Sequence, residues 1–329
     1  MAKKGLLERL AEGPVLGDGG YLLELEKRGR VRAGPFTPEV ALNNPESLLE
    51  LHREFRDAGA EVLQALTFYA SRDKLATVGM DERVEELNRA AVRLAKQAAG
   101  EKCLVAGNLS LTWMYDPASE AAKDRVRKTF DEQLEWQASE GVDFIIGETF
   151  SYLGEALICV ERAKRTGLPV MVTVCFENED ITPDGKKAAE VAKALADAGA
   201  DVVGINCLRS PEHTLPLMAE MRRAVKGYIG CQPVAYRTTH DHRDFTSLPA
   251  FPDALDPYQL TRQEMAAYAT KARELGVNYI GACCGAVASH IREMARALGK
   301  MPADDRVWKK GGEKAMSAYE YYGHDKAKG

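Results

Sequence analysis

Two adjacent thiols, Cys283 and Cys284, follow a short apolar run that begins at Tyr279 and predicts a β-strand. A third thiol, Cys207, follows another such run at residues 202–206. Three thiolates brought together hold a zinc ion and leave its fourth position open, as catalytic zinc sites do. A metal held mainly by sulfur is soft, so the further ligand that it accepts best is another sulfur. The pattern therefore predicts chemistry on a thiol substrate.

Other interpretations of these thiols remain open. A disulfide between Cys283 and Cys284, or three buried thiols without a function, would use the same residue types. Cys175 also ends a predicted strand and competes as a ligand, although neither a glycine nor a second thiol adjoins it. Gly281 and Gly285 flank the adjacent pair and allow the tight bend that two neighbouring ligands require. The remaining thiols are expected to be buried as small apolar side chains: Cys103, Cys159 and Cys231.

The composition is that of a globular protein, because 45% of the 329 residues are apolar and 28% are charged. A net charge of -5 and the lack of a basic cluster among aromatic residues argue against a nucleic-acid partner. The amino terminus becomes charged too early for a signal peptide, and no apolar run is long enough for a membrane span. We therefore expect a cytoplasmic protein whose seven cysteines form no disulfide framework.

Strand-like and helix-like segments alternate about eight times, which predicts an α/β protein with a (β/α)8 barrel, the TIM barrel. The predicted strands are residues 15–18, 62–67, 104–108, 144–148, 170–175, 202–207, 228–233 and 279–283. The predicted helices are residues 45–58, 85–99, 121–140, 154–166, 187–198, 211–225, 262–275 and 288–298. An open doubly wound sheet is the competing architecture, but the run of residues 17–20 lacks the glycine spacing of its phosphate-binding turn.

The predicted barrel domain covers residues 1–300. Residues 301–329 follow it as a tail that is either disordered or an arm laid on a neighbouring subunit, and its Tyr319, Tyr321 and Tyr322 favour the arm. A long irregular stretch at residues 236–258 is predicted to be a functional loop.

Catalytic groups of such barrels lie at the carboxyl ends of the strands, and here those ends are polar. They carry Asp18, Thr67, Tyr69, Asn108, Ser110, Glu148, Asn206, Cys207, Gln232, Cys283 and Cys284. Asp18 and Glu148 could orient a cation or an ammonium group, or merely cap loops and pair with arginine. Tyr69 and Phe36 lie in loops of the same face, where an aromatic ring attracts an onium centre or simply packs.

These residues resemble the zinc-dependent homocysteine S-methyltransferases, and within them the betaine-homocysteine methyltransferases. The similarity runs from Lys3 to about Leu298. The motifs that carry it are Gly17-Asp18-Gly19-Gly20, Glu26-Lys27-Arg28-Gly29, Ala33-Gly34-Pro35-Phe36-Thr37-Pro38-Glu39, Leu51-His52-Arg53-Glu54-Phe55, Phe68-Tyr69-Ala70-Ser71, Gly204-Ile205-Asn206-Cys207, Gln232-Pro233 and Gly281-Ala282-Cys283-Cys284-Gly285.

The resemblance implies a barrel in which Zn2+ is bound by Cys207, Cys283 and Cys284, the residues predicted to be catalytic. It also implies that Asp18 and Glu148 hold the amino-acid substrate. The methyl-donor site is implied at Tyr69. The predicted substrate-binding set is Asp18, Gly19, Phe36, Tyr69, Glu148, Thr149 and Asn206.

Two positions depart from the betaine enzymes, which carry Trp in place of Phe36 and Tyr in place of Thr149. Fewer large rings should weaken a cation cage. The predicted donor is an onium compound, either glycine betaine or a related methylated amine or dimethylsulfonium compound, and the two departures favour a donor other than glycine betaine. The predicted product of methyl transfer to homocysteine is methionine. The alternatives are S-methylmethionine as the donor, or a zinc-binding barrel without turnover. A tail that is shorter than in tetrameric members predicts a homodimer.

Overall fold

The computed structural model describes residues 3–32 and 37–302. Phe36 and residues 303–329, which make up nearly all of the predicted tail, lie outside the described residues. Over the described ranges, no helix has both the length and the apolar character needed to cross a membrane.

Eight strands form one sheet in which every paired neighbour is parallel. They are β1 (Val15–Leu16), β2 (Val62–Gln64), β3 (Leu104–Ser110), β4 (Phe144–Phe150), β5 (Val170–Val174), β6 (Val202–Asn206), β7 (Tyr228–Gln232) and β8 (Tyr279–Ile280). Their spatial order is β1-β8-β7-β6-β5-β4-β3-β2, so the sequence order returns on itself as it does in a barrel. The predicted (β/α)8 architecture is confirmed.

Eight outer helices connect these strands, and each begins within one residue of its predicted start. They are α4 (Pro45–Asp57), α6 (Val84–Ala99), α7 (Glu120–Ser139), α8 (Leu153–Ala163), α9 (Ala188–Asp197), α10 (Pro211–Ala224), α11 (Arg262–Glu274) and α12 (Ala288–Ala297). Four shorter helices were not predicted: α1 (Leu6–Glu12), α2 (Leu22–Lys27), α3 (Val40–Asn43) and α5 (Arg72–Ala76).

The barrel interior is apolar at one end and polar at the other. Every second residue of a strand points inward. Near the amino ends these inward positions form an apolar cluster, which Leu6 and Leu10 of α1 close from below: Val15, Val62, Leu104, Ala106, Phe144, Ile146, Met171, Val202 and Tyr279. Further along the same faces stand polar residues: Gln64, Asn108, Glu148, Thr173, Asn206 and Gln232. The polar end, where the strands finish, is the end that can bind a ligand.

Side chains help to close the seam between β1 and β2. One main-chain bond crosses it, from the Glu61 nitrogen to the Leu16 carbonyl oxygen at 2.9 Å. The Glu61 carboxylate accepts from the Leu16 nitrogen at 2.8 Å, and the Asp18 carboxylate accepts from the Gln64 nitrogen at 2.8 Å. A residue predicted to bind substrate, Asp18, is thereby fixed to the neighbouring strand.

Candidate active site at the carboxyl end of the barrel

The three predicted thiols meet at the carboxyl end of the barrel. Cys207 follows β6, whereas Cys283 and Cys284 lie beyond β8, and β7 separates the two strands. The sulfur of Cys284 lies 3.8 Å from that of Cys207 and 4.0 Å from that of Cys283. All three sulfurs lie within 4.8 Å of one another. No disulfide joins Cys283 to Cys284, since both are free thiols.

These distances suit a single zinc ion. Zinc–sulfur bonds of about 2.3 Å in a tetrahedron place two ligand sulfurs about 3.8 Å apart. The shorter sulfur–sulfur distance here, 3.8 Å, has this value. Within the described part of the chain, no other group of three His, Cys, Asp or Glu side chains could hold a metal ion. Cys175 is set apart, because its sulfur contacts the Ser151 hydroxyl and the Thr149 carbonyl oxygen instead.

The main chain bends sharply to present the thiols. Cys207 and Leu208 adopt left-handed φ angles of 58° and 54°, and Gly285 adopts 80°. The Cys207 nitrogen donates to the Gln232 carbonyl oxygen at 2.8 Å, and the Cys283 nitrogen donates to the Pro233 carbonyl oxygen at 2.8 Å. The end of β7 and the residue after it therefore hydrogen-bond to both segments that carry the thiols and hold them in place.

Backbone strain is concentrated in this region. Four non-glycine residues of the described chain have a left-handed φ: Tyr69, Thr149, Cys207 and Leu208. All four line the cavity onto which the thiols open. Strained residues persist where the surroundings over-determine them, which happens most often at functional sites.

The three thiols share their protons unequally. Contacts with the Cys283 and Cys284 thiols lower the pKa of Cys207 well below its usual value. The same contacts raise the pKa of Cys283 and Cys284, because their ionised forms would face the Cys207 thiolate. The three thiols are therefore coupled to one another, and Cys207 is the one that ionises most readily.

The cavity beside the thiols has a volume of about 470 Å³, a size suited to small molecules. Asp18 and Glu148 contribute its buried carboxylates, while Phe68 and Tyr69 contribute aromatic surface. The long loop after β7, predicted to be functional, contributes Phe245, Thr246, Phe251, Pro252 and Asp253. Thiols, carboxylates and aromatic rings thus line one cavity.

Glu148 is a buried carboxylate surrounded by amide donors. It accepts from Gln64 Nε2 at 2.5 Å, Asn108 Nδ2 at 2.7 Å and Asn206 Nδ2 at 3.1 Å. Burial nevertheless raises the pKa of Glu148 to about 8, and the nearby Cys207 thiolate adds to the rise. A cationic ligand group beside Glu148 would stabilise its ionised form.

Asp18 belongs to a chain of hydrogen bonds that the sequence did not predict. Tyr21 donates its hydroxyl hydrogen to Asp18 Oδ2 at 2.5 Å, and the same hydroxyl lies 2.9 Å from His52 Nδ1. Burial lowers the pKa of His52 to about 3, so the ring is neutral and its Nδ1 donates to the tyrosine oxygen. Burial also raises the pKa of Asp18 to about 6. The Asp18 carboxylate is therefore held in position by Tyr21 and Gln64 through Oδ2.

A family comparison identifies the family of the chain. The sequence model of the family described as "Homocysteine S-methyltransferase" matches residues 15–298. The chain belongs to this family. Betaine–homocysteine S-methyltransferase 1 of Mus musculus is 44% identical over 309 residues, covering 90% of this chain and 75% of that protein. S-methylmethionine–homocysteine S-methyltransferase of Pongo abelii is 41% identical over 309 residues, covering 90% of this chain and 82% of that protein. The predicted family is confirmed.

Solved structures support the fold. The homocysteine methyltransferase MmuM from Escherichia coli, in its metallated form, superposes with a TM-score of 0.71 at 20% identity. The match covers 88% of this chain and 99% of that one. A methyltransferase from Methanosarcina mazei superposes with a TM-score of 0.56 at 13% identity.

In this homocysteine S-methyltransferase family member, most of the predicted substrate-binding residues line the cavity. Asp18, Gly19, Tyr69, Glu148 and Thr149 do so. A Cβ atom on Gly19 would lie 2.6 Å from the Phe55 ring and 2.9 Å from the Ala286 carbonyl oxygen, so close packing requires glycine there.

Asn206 lies behind the cavity wall rather than on it. Its Oδ1 accepts from the Thr149 nitrogen at 2.8 Å and from the Thr173 hydroxyl at 2.7 Å. Its Nδ2 donates to the Thr149 hydroxyl at 2.7 Å as well as to Glu148. With these bonds formed, Asn206 orients Glu148 and the strained Thr149.

Sequence reasoning missed the residues that support the wall. Tyr21 stands three positions after Asp18, which is the one local signal that could have linked the two residues. His52 was recognised only within a family motif. Lys74 and Trp113, which contact the Tyr69 ring, carried no signal, since their contacts join parts of the chain that are remote in sequence.

Proposed function

We propose that the protein transfers a methyl group from an onium donor to the thiol of homocysteine, giving methionine, and that it does so as a zinc enzyme. The observation that carries this proposal is the convergence of three thiols on a cavity that also holds two buried carboxylates. The spacing of the sulfurs supports zinc, because the distance of 3.8 Å between the Cys207 and Cys284 sulfurs equals the edge of a zinc–sulfur tetrahedron and the other distances are within 1 Å of it.

Cys207, Cys283 and Cys284 would hold the zinc ion. When bound, zinc lowers the pKa of a thiol in its open position, so that a substrate thiol is present as the thiolate at neutral pH. Three protein sulfurs leave that position free, because no fourth metal-binding side chain joins them among the described residues. The bend at Gly285 and the left-handed Cys207 aim the three sulfurs at a common point.

Asp18 and Glu148 would bind the amino group of homocysteine. Each carboxylate already accepts hydrogen bonds from neighbours, and these bonds fix its position before a ligand arrives. An ammonium group would compensate the burial that now raises the pKa of both carboxyls. The amino acid would thus be held with its thiol directed towards the three cysteines.

The remaining aromatic surface would hold the donor. Methyl transfer from a cationic donor to a thiolate removes two opposite charges, so a cavity that excludes water accelerates it. Tyr69 and Phe68 offer rings that attract an onium centre. The proposed donor is glycine betaine, a related methylated amine or a dimethylsulfonium compound, with S-methylmethionine as the alternative. The small side chain of Thr149 removes one ring from the cation cage and so favours a donor other than glycine betaine.

A donor screen tests this function. Zinc-loaded protein is incubated with homocysteine and with glycine betaine, dimethylsulfonium compounds or S-methylmethionine, and methionine is measured. We expect turnover with betaine-type or dimethylsulfonium donors to exceed turnover with S-methylmethionine. Turnover with S-methylmethionine alone would reverse the donor assignment. Zinc binding without methionine from any donor would identify a barrel that holds metal but does not catalyse.

We also propose a cytoplasmic homodimer in which residues 301–329 form an arm. The support is in the sequence: reduced thiols throughout the barrel and a cluster of tyrosines near the carboxyl terminus. Light scattering on the full chain should give the mass of two copies, and a monomer mass would contradict the proposal.

A further inference from the structure

Lys74 is a buried lysine that the proposed chemistry does not use. It lies on α5, is 1% exposed, and donates from Nζ to the Leu111 carbonyl oxygen. Among the described residues, the acceptor of its Nζ is this carbonyl oxygen and not a carboxylate. Burial lowers the pKa of Lys74 to about 7, while Asp73 and Glu155 act to raise it. A buried ammonium without an ion pair is costly, so its position calls for a compensating interaction.

Two aromatic rings provide that interaction. Nζ of Lys74 lies 3.9 Å from the centre of the Tyr69 ring and 4.9 Å from the centre of the Trp113 ring. The two rings are 5.5 Å apart, and the ammonium contacts both. Cation–π contacts of this kind are strongest when the cation is shielded from water, as Lys74 is.

Tyr69 connects this cluster to the cavity. Tyr69 lines the cavity, whereas Lys74 and Trp113 do not. Its backbone is strained, with a φ of 64°, and its nitrogen donates to the Ser110 hydroxyl at 3.1 Å. The Phe68 ring, which also lines the cavity, lies 4.2 Å from the Tyr69 ring. A strained residue with a flat ring needs contacts on the ring itself to keep one orientation.

We propose that Lys74 is a positioning residue that clamps the Tyr69 ring to the cavity wall and thereby governs binding of the methyl donor. This inference rests on the proposed function, in which the aromatic wall receives the donor. Lys74 touches neither the thiols nor the two carboxylates that would hold homocysteine, so its influence on that substrate is small. Trp113, which is 56% exposed, contacts both Lys74 and the Tyr69 ring from the solvent side.

Steady-state kinetics with Lys74→Met test the inference. Methionine keeps an unbranched apolar stem of similar volume and removes the charged ammonium group. We expect the donor KM to rise about tenfold, as loss of a desolvated cation–π contact implies, while the homocysteine KM and the zinc content stay near wild type. Lys193→Met is the matched control, since Lys193 is exposed on α9 and pairs with Asp197.

A double-mutant cycle shows whether Lys74 acts through Tyr69. Once Tyr69→Leu has removed the ring, Lys74→Met should change the donor KM no further. The inference would be overturned if the effects of Lys74→Met and Tyr69→Leu on the donor KM multiplied in the double mutant. It would also be overturned if Lys74→Met raised the donor KM and the homocysteine KM equally. If Lys74→Met does not fold, Trp113→Leu replaces it in the same cycle, because replacing an exposed side chain has little effect on folding. A wild-type protein inactive with every onium donor would instead overturn the proposed function.

Discussion

At the scale of single residues, the site depends on how each buried polar group is partnered. Asp18 Oδ2 accepts from both the Tyr21 hydroxyl and the Gln64 nitrogen. His52 supports the tyrosine from behind, although its own Nε2 has no hydrogen-bond partner in the described structure. The series of hydrogen bonds from His52 through Tyr21 to Asp18 fixes the position of the Asp18 carboxylate.

Removing the Tyr21 hydroxyl should weaken substrate binding. In Tyr21→Phe, Asp18 loses a hydrogen bond to a charged oxygen, an interaction that contributes about 1.5–3 kcal/mol. We expect the homocysteine KM to rise about tenfold or more while the donor KM changes little. Tyr228→Phe, at the opposite end of the barrel on β7, is the control. An unchanged homocysteine KM would show that Tyr21 does not position Asp18.

Glu155 makes stability depend on pH. It is buried on α8 and accepts from the Thr112 nitrogen at 2.7 Å and hydroxyl at 2.6 Å. Burial raises the pKa of Glu155 to about 7. The folded protein therefore binds this proton more tightly than the unfolded chain. The resulting stabilisation is complete below the unfolded pKa, near 4.3, and is lost as pH rises through 7.

Glu155→Gln should remove that dependence. The stabilisation at stake is at most about 4 kcal/mol, the equivalent of the pKa shift. Urea unfolding of zinc-free protein at pH 5 and pH 8 gives the measurement. Between these two conditions, wild type should lose more unfolding free energy than the variant does. If the free energy of unfolding changed by the same amount between pH 5 and pH 8 in wild type and variant, the assignment of a buried, protonated Glu155 would be contradicted.

At the scale of elements, the strands could be located from the sequence, but their ends could not. β2 stops at Gln64 and β8 at Ile280, each three residues before the predicted end. The residues beyond are buried, so they look like strand in a pattern of apolar residues. Their main chain instead turns away from the sheet to form the site, as the bond from the Cys283 nitrogen to Pro233 shows.

The close approach of β6 and β7 gives a prediction at this scale. Gly204 faces Gly230 across the two strands, and a Cβ atom on Gly204 would lie 1.9 Å from the Gly230 carbonyl oxygen. Gly204→Ala should lower the free energy of unfolding by about 3 kcal/mol or more, because backbone must move. The control Gly227→Ala adds its Cβ in open space. Equal stability of the two variants in urea would contradict this packing.

At the scale of the whole molecule, the convergence of the thiols could be predicted because the carboxyl ends of parallel strands meet at one rim of a barrel. Cys207 and Cys283 are far apart in sequence, yet closure of the sheet places β6 and β8 on either side of β7. The residues that pack behind the wall of the cavity could not be predicted. Lys74 reaches Trp113, and Tyr21 reaches His52, only after helices have packed against the barrel.

Zinc would join two segments of the barrel that are otherwise linked through β7. A ligand that binds the folded state alone raises its stability. We expect the midpoint of thermal unfolding to fall when a chelator removes zinc from wild type, and to be insensitive to the chelator in Cys207→Ala. If the chelator left the midpoint of thermal unfolding unchanged in both proteins, this result would argue against a zinc site.

X-ray absorption at the zinc edge, with and without homocysteine, tests the central claim most directly. Wild-type protein should bind one zinc per chain with three sulfur neighbours at about 2.3 Å, and homocysteine should add a fourth sulfur. A protein that binds no zinc, or a zinc shell that homocysteine leaves unchanged, would contradict the account.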